Sequence, residues 1–385
     1  MGGTVFKDFR KLSFDWVPKE LKHREAQMKR LMTLFRPVVD SNVSQNVSIK
    51  GAVGTGKTHL SKLFSANFEK LAQEKGKYVE HVLVNCRQYY SEDMVLLKVL
   101  SKFQPHFPDR GFSVPEKTEI LRKDLNKNKC HLLVILDEAD VLLKRSGSDL
   151  VYTFTRFDEE APGTKASLSL ILISQQDVFH LMDPASISTF KRTNVITLDK
   201  YGRDELKDII TERVDLAFHP GTVQEDSTDL IADIASEKGD ARFAIELLAN
   251  AGMLTDEQGT EEVTPEHVRF AKAETFRTIT EEKLAELDRS KKMTLLAIAR
   301  KVKKSAYINT GDAESSYAVV CEEFGEKQRG HTQFWKYIKD LDALGFIDTK
   351  ISGEGVVGKT TLISLSEIPA GQLEEILEKE IGGSE

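Results

Sequence analysis

Eight residues, Gly51-Ala52-Val53-Gly54-Thr55-Gly56-Lys57-Thr58, restrict the fold more than any other part of this 385-residue chain. Glycines at this spacing, followed by Lys-Thr, make a loop whose backbone N–H groups converge on a phosphate. Such a loop works only where a buried strand enters it and a helix N-terminus leaves it. Both flanks are legible. Val47-Ser48-Ile49-Lys50 reads as a strand end, and Leu60, Leu63, Phe64, Phe68 and Leu71 recur on one face of a helix. A strand, a phosphate loop and a helix in that order imply an α/β unit with a parallel sheet.

The same spacing returns at Gly353-Glu354-Gly355-Val356-Val357-Gly358-Lys359-Thr360, but its context differs. Thr361-Leu362-Ile363-Ser364-Leu365-Ser366 is β-branched and largely alternating, the pattern of a returning hairpin strand rather than a helix. The second copy is therefore read as a glycine-rich hairpin tip, and only the first as a nucleotide site.

Downstream of the first loop, residues 78–85 read as a strand, followed by helical stretches to Leu125. Leu132-Leu133-Val134-Ile135-Leu136 then precedes Asp137-Glu138, as expected of a fully buried strand that delivers acids to its C-terminal edge. There Asp137, together with the Thr58 hydroxyl, can hold Mg²⁺, and Glu138 can orient and deprotonate a water; the plainer alternative is a strand ending in solvated acids. Residues 167–174 read as a strand ending in Gln175-Gln176-Asp177, lying between the phosphate-loop strand and the acidic strand. Residues 194–198 would close a sheet of about five strands.

From about residue 200 the pattern becomes almost wholly helical. Leu206, Ile209, Ile210 and Val214 form one apolar face, Leu230, Ile231 and Ile234 a second, and Ala244, Ile245, Leu247 and Leu248 a third. Thr264-Pro265-Glu266 is a helix start, with a hydroxyl at the cap and proline at the first helical position. Gly239-Asp240-Ala241-Arg242 puts an arginine at a helix start after a tight turn. Arg242 is either a surface charge or a guanidinium suited to sensing a γ-phosphate.

A compact unit restarts near residue 290. Leu295, Leu296, Ile298, Ala299 and Val302 build one helix, Tyr317, Val320 and Phe324 a second, and Phe334, Ile338, Leu341 and Leu344 a third, ahead of the hairpin. Three helices and a β-hairpin describe a winged helix. Thr332, Gln333, Lys336 and Lys339 lie off the third apolar stripe, where side chains reach bases or phosphates if that helix enters a major groove, while Trp335 is read as a packing residue. Lys350, Gly355 and Lys359 would track the backbone or minor groove from the wing. The chain carries a formal charge of −7, so any nucleic-acid contact has to be local. Residues 289–361 hold thirteen Lys or Arg against nine Asp or Glu.

Cys86, Cys130 and Cys321 stand far apart, which argues against a zinc site and for a reducing compartment. No apolar run approaches bilayer length and no signal peptide is evident, so no membrane role and a cytoplasmic location are expected.

The ordered set of phosphate loop, Asp-Glu strand, polar sensor strand, helical lid with Gly-Asp-Ala-Arg and winged helix resembles an AAA+ ATPase of the archaeal origin-recognition/cell-division-cycle initiator family. Val17-Pro18-Lys19-Glu20-Leu21-Lys22-His23-Arg24-Glu25 resembles that family's adenine-side motif, and Phe218-His219-Pro220-Gly221 its lid turn. The resemblance implies an α/β nucleotide-binding domain over residues 1–200, a helical lid over 201–282 and a winged-helix DNA-binding domain over 290–385. It also implies ATP or ADP with Mg²⁺ as cofactors, with His23 and Arg24 beside the base, Arg242 as the lid sensor and Gln176 as the nearest match to the strand sensor, where the family usually has Asn. A helical insertion at about 91–113, with Arg110 and Phe112, would supply a second DNA contact.

Implied partners are double-stranded origin DNA, paralogous initiator subunits and a replicative helicase of the minichromosome maintenance type. One position departs from the pattern: Asp183-Pro184 is followed by Ala185-Ser186-Ile187 where the family tends to carry an arginine finger, and the nearest cations are Lys191 and Arg192. Loss of a finger removes about 10³-fold or more from turnover, so weak hydrolysis used as a switch is expected. Two other readings share the same core: a signalling or transcription-regulating ATPase, and a helicase-loading motor whose winged helix binds protein alone.

Overall fold

The computed structural model describes residues 4–159, 167–190, 194–275, 284, 287–303, 305–351, 360–365 and 369–382. They form two compact units, Val17–Tyr201, and Met1–Trp16 together with Gly202–Glu385.

The first unit is built on five parallel strands: β1 (Asn46–Gly51), β2 (Tyr78–Asn85), β3 (Cys130–Asp137), β4 (Ser167–Ser174) and β5 (Val195–Leu198), in the order β2-β3-β4-β1-β5. All eight residues of β3 are buried, because this strand lies inside the sheet with both faces covered. One face is covered by α1 (Glu25–Ser41) and α2 (Lys57–Glu74), where Phe35, Phe64 and Phe68 pack together with Val47, Ile49, Leu133 and Ile135. The other is covered by α3 (Glu92–Leu100), α4 (Val114–Asn128), α5 (Ala139–Ser146) and α6 (Asp149–Thr155), around Leu132, Val134 and Leu136. Each such fully buried aliphatic side chain contributes about 2 kcal/mol of transfer free energy. The short α7 (Pro184–Thr189) follows β4.

Register explains why the strand ends form a site. Asn85 is level with Asp137, Leu136 with Leu172, Lys50 with Ser174 and Gly51 with Leu198, so all five C-termini reach one edge of the sheet together.

The second unit opens with the helices α8 (Arg203–Ala217), α9 (Glu225–Ser236), α10 (Ala241–Gln258) and α11 (Pro265–Thr275). Residues 4–16 belong to this bundle: Phe6 bridges to Phe218, Lys7 N–H and Asp8 N–H donate to Ala217 O, and Asp256 accepts from Val5 N–H. A side chain at Gly252 would meet the Phe6 ring at 2.5 Å, which accounts for the glycine. On α8 the expected apolar position Val214 is only half-buried, while Arg213 is buried. Its guanidinium stacks on Trp16 at 4.2 Å and donates to Lys11 O, an arrangement that helical periodicity cannot foresee because it depends on the distant N-terminal segment.

The winged unit comprises helices Arg289–Val302, Thr310–Glu323 and His331–Ala343, and the antiparallel strands β6 (Ile308–Asn309), β7 (Asp348–Ile351) and β8 (Thr361–Ser364), in the order β6-β8-β7. The hairpin tip, including Gly355 and Lys359, lies outside the described residues, as do Lys191 and Arg192. Two elements go beyond the sequence reading. β6 is two residues long, too short for a periodicity, and a helix at Ala370–Gly382 buries Leu373, Leu377 and Ile381 against the first helix of the unit. Leu344, expected on the third apolar face, caps that helix and is 54% exposed, while Tyr337 is buried instead.

Arg269 joins the lid to this unit. Fully buried, it donates to the carbonyls of Val302, Ser305, Ala306 and Leu365, and it pairs with Glu266.

Candidate functional site

The phosphate loop sits between β1 and α2, at the edge where the strands end. Gly54 and Gly56 adopt positive φ, 73° and 91°, which an L side chain rarely adopts. A Cβ at Gly51 would lie 2.5 Å from Leu198 O, so the turn out of β1 excludes any side chain. Thr55 is buried, and its hydroxyl donates to Ala52 O, closing the loop on itself. Val53 stands exposed at the tip. Lys57 Nζ donates to Gly51 O at 2.7 Å and Ala52 O at 2.6 Å, so its ammonium lies across the mouth of the cradle.

Thr58, on the first turn of α2, donates its hydroxyl to Asp137 Oδ2 at 2.7 Å, while Asp137 Oδ1 accepts from Glu138 N–H. A hydroxyl and a carboxylate side by side are hard oxygen donors of the kind Mg²⁺ takes. Glu138 has left-handed backbone geometry, φ 56° and ψ 44°, where β3 turns abruptly into α5. Its Oε2 lies 2.5 Å from Arg87 Nε, two residues beyond the end of β2. The neighbouring Cys86 is buried, and burial, with Asp137, Asp140 and Glu138 nearby, pushes its thiol up to about 12, so it stays protonated and unreactive.

Beyond β4, Gln175 and Gln176 are exposed, and the Gln176 carbonyl accepts from Ser174 Oγ. Lys50, the residue before the loop, pairs with Asp177 at 3.5 Å. Asp183 caps α7: it accepts from the N–H groups of Ala185 and Ser186 and from the hydroxyls of Ser148 and Ser186. Those hydroxyl bonds hold its carboxyl well below the usual carboxylate range. Ser186 is buried, with its hydroxyl turned onto this cap.

His23 has φ 61°, and its N–H donates to Glu25. Arg24 is 3% exposed. Its Nε donates to Thr55 O at 3.1 Å, Nη1 to His23 O at 2.9 Å and Nη2 to Asp199 O at 2.7 Å, and the guanidinium stacks 3.7 Å from the centre of the Tyr201 ring.

Arg242 lies in the second unit. Asp240, in extended geometry, caps α10 by accepting from Arg242 N–H and Phe243 N–H, and the exposed Arg242 guanidinium lies 5.5 Å from the Phe14 ring.

On the third helix of the winged unit, Thr332, Gln333, Lys336 and Lys339 are all exposed on the side away from Phe334, Ile338 and Leu341. Trp335 packs against the core, with Lys339 Nζ 5.7 Å from its ring. Lys350, on β7, which the sequence reading set along the DNA backbone, is held by the helical lid instead: Nζ pairs with Asp233 on α9 at 2.7 Å and lies 3.5 Å from the Tyr307 ring centre. Arg110 is exposed in the loop after α3, next to Phe112, whose ring packs on Phe107 at 5.1 Å.

Sequence reasoning missed Arg87, Tyr201 and Asp233. The register of β2 against β3 is the one signal that points to Arg87, since the residues after Asn85 must stand beside those after Asp137. No helix of the described residues is long and apolar enough to cross a membrane.

Comparison with known proteins agrees with this architecture in order and position. Residues 42–182 match the family described as AAA domain, 207–273 the Cdc6 AAA+ ATPase-type lid domain, and 282–373 the CDC6 C-terminal winged helix domain. The chain is 32% identical to ORC1-type DNA replication protein 2 of Sulfurisphaera tokodaii, over 99% of this chain and 94% of that protein. Among solved structures, Cdc6p from Pyrobaculum aerophilum matches with a TM-score of 0.83 at 29% identity, covering 99% of each chain. The Aeropyrum pernix ORC1 protein in complex with DNA matches with a TM-score of 0.65 at 29% identity, covering 99% of this chain and 98% of that one.

Proposed function

The chain belongs to the ORC1/Cdc6 family of AAA+ replication proteins, and on that premise we propose that it is an ATP-binding initiator that grips duplex origin DNA and helps recruit the replicative helicase. The observation that carries this reading is the convergence of a preformed phosphate loop, Lys57 and the Thr58–Asp137 pair at one sheet edge, in a chain that also presents Thr332, Gln333, Lys336 and Lys339 together on an exposed helix. The solved Aeropyrum pernix relative in complex with DNA supports the second half of it.

In this reading, the backbone from Gly51 to Thr58 binds the phosphates of ATP or ADP, and Lys57 exchanges its two carbonyl partners for phosphate oxygens. Thr58 and Asp137 would hold Mg²⁺, which when bound neutralises phosphate charge. Glu138 orients water and accepts its proton, Gln176 stands at the sensor strand, and Arg242 responds to the γ-phosphate from the lid. The lid, residues 201–282, carries the winged domain, residues 290–385, through Arg269, so nucleotide state is passed to the DNA-binding surface.

Hydrolysis is slow and serves as a switch, because Ala185 and Ser186 occupy the finger position and a neighbouring paralogue has to complete the site. Duplex contact comes from the third helix, the wing with Gly355 and Lys359, and Arg110. The protein acts in the cytoplasm, associated with the nucleoid.

The test is nucleotide and duplex binding by the full chain, with Lys57→Ala and Glu138→Gln beside wild type. Lys57→Ala should lose nucleotide binding, and Glu138→Gln should keep binding while hydrolysis stops. ATP affinity unchanged in Lys57→Ala would remove the site assignment. Failure to shift duplex DNA at low salt, with helicase binding intact, would favour a loader whose winged helix binds protein.

A further inference from the structure

The side chain of Arg24 is almost wholly enclosed, and each of its three guanidinium nitrogens donates to a backbone carbonyl. One of these carbonyls belongs to Thr55, inside the phosphate loop. In a trans peptide the C=O and the following N–H point in opposite directions, and the chain contains no cis bond among its described residues. Holding Thr55 O against Arg24 therefore turns Gly56 N–H the other way, into the concave side of the loop. Gly56 has φ 91°, a conformation glycine adopts freely, so its own backbone preference does not fix this peptide and the Arg24 contact does. A second carbonyl, Asp199 O, lies just past the end of β5, and Tyr201 covers the flat face of the guanidinium. The Tyr201 hydroxyl would in turn lie 3.0 Å from a Cβ at Gly56, so the same aromatic ring backs the loop from outside.

We infer that Arg24 is a positioning residue for the phosphates: it locks the Thr55–Gly56 peptide so that Gly56 N–H is presented to a polyphosphate whatever base that polyphosphate carries. This rests on the reading of residues 51–58 as a nucleotide site. It assigns Arg24 a task different from contact with the base, for which a guanidinium enclosed by three carbonyls and an aromatic face has no exposed surface to offer. Arginine is required because its planar fork serves three divergent carbonyls and a ring at once, whereas a lysine ammonium is a single point charge.

The experiment measures affinity of the full chain for ATP, GTP and inorganic tripolyphosphate, at a temperature well below the unfolding midpoint of each variant. Arg24→Gln is expected to weaken all three by the same factor, about tenfold or more, the scale of losing a charge-assisted hydrogen bond. The ratio of ATP to GTP affinity should stay at its wild-type value. Arg24→Lys keeps the charge and most of the stem and should fold even where Arg24→Gln does not; it should show the same uniform loss, smaller in size. Tyr201→Leu keeps the three carbonyl bonds and removes the stacking face, and it too should weaken tripolyphosphate.

A changed ATP to GTP ratio with unchanged tripolyphosphate binding would make Arg24 a base contact and overturn the inference, as would wild-type affinity for all three probes in both Arg24 variants. Lys57→Ala, run in parallel, keeps the two failures apart: ATP binding retained there defeats the nucleotide site itself, whatever Arg24 does.

Discussion

The Nε atom of Arg87 lies 2.5 Å from Oε2 of Glu138, joining the second residue beyond β2 to the acid that follows the end of β3. A carboxylate whose oxygen is engaged by a guanidinium has that oxygen less free to orient a water. Arg87 is largely exposed, so the pair is weak and reversible rather than a fixed part of the core. Arg87→Ala should therefore raise the basal rate of phosphate release by about two- to fivefold, the scale of an exposed ion pair, without changing ATP affinity. Single-turnover hydrolysis measures this. A slower rate would mean that Arg87 aims Glu138 rather than restraining it.

The exposed face of the third winged-unit helix makes a prediction about salt. If Lys336 contacts a phosphate, Lys336→Ala weakens duplex binding about equally on all sequences and flattens the log–log salt dependence by about one unit. Gln333→Ala should instead change which sequences are preferred and leave that slope alone. Titrations at several salt concentrations separate the two behaviours, and unchanged slopes for Lys336→Ala would exclude the contact.

Arg269 is enclosed among the carbonyls of Val302, Ser305, Ala306 and Leu365. Arg269→Met fills much of the same volume but leaves four acceptors without their donor, a change costing about 3 kcal/mol or more. Denaturation followed by the fluorescence of Trp16 and Trp335 should show a transition at markedly lower urea. Equal stability of the two proteins would mean that the lid and winged unit do not depend on this residue.

His131 is buried at the start of β3 between Ser167 and Ser169, with hydroxyl partners at 2.6 and 2.8 Å. Burial lowers its pKa from 6.5 to about 4. The unfolded chain therefore binds a proton that the folded chain refuses across that interval, and stability falls as pH drops from about 6.5 towards 4, by about 3 kcal/mol at most. Above 6.5 the term vanishes. His131→Asn should flatten this part of the stability–pH curve, and an identical slope in the variant would exclude His131 as its source.

Much of the candidate site could be read along the chain because its parts are contiguous. The phosphate loop, the Asp137-Glu138 strand end and the Asp240-capped helix start each need only local backbone geometry, and each lies where the spacing of residues implies. The strands at 78–85 and 167–174 were legible for the same reason: a short apolar run bounded by turn residues carries its own ends. β6, with two residues, has no period to detect, and the burial of Arg213 depends on Trp16 nearly two hundred positions away.

The strongest contrast is between the two glycine-rich loops and Arg24. Sequence alone distinguished the loop followed by a helix from the one followed by a strand, since periodicity of side chains is a local property of the backbone. It left Arg24 as one charged residue in an N-terminal motif. Only the tertiary structure brought Thr55, Asp199 and Tyr201 around that guanidinium, because a buried charge needs several acceptors at once and the folded chain gathers them from two distant stretches.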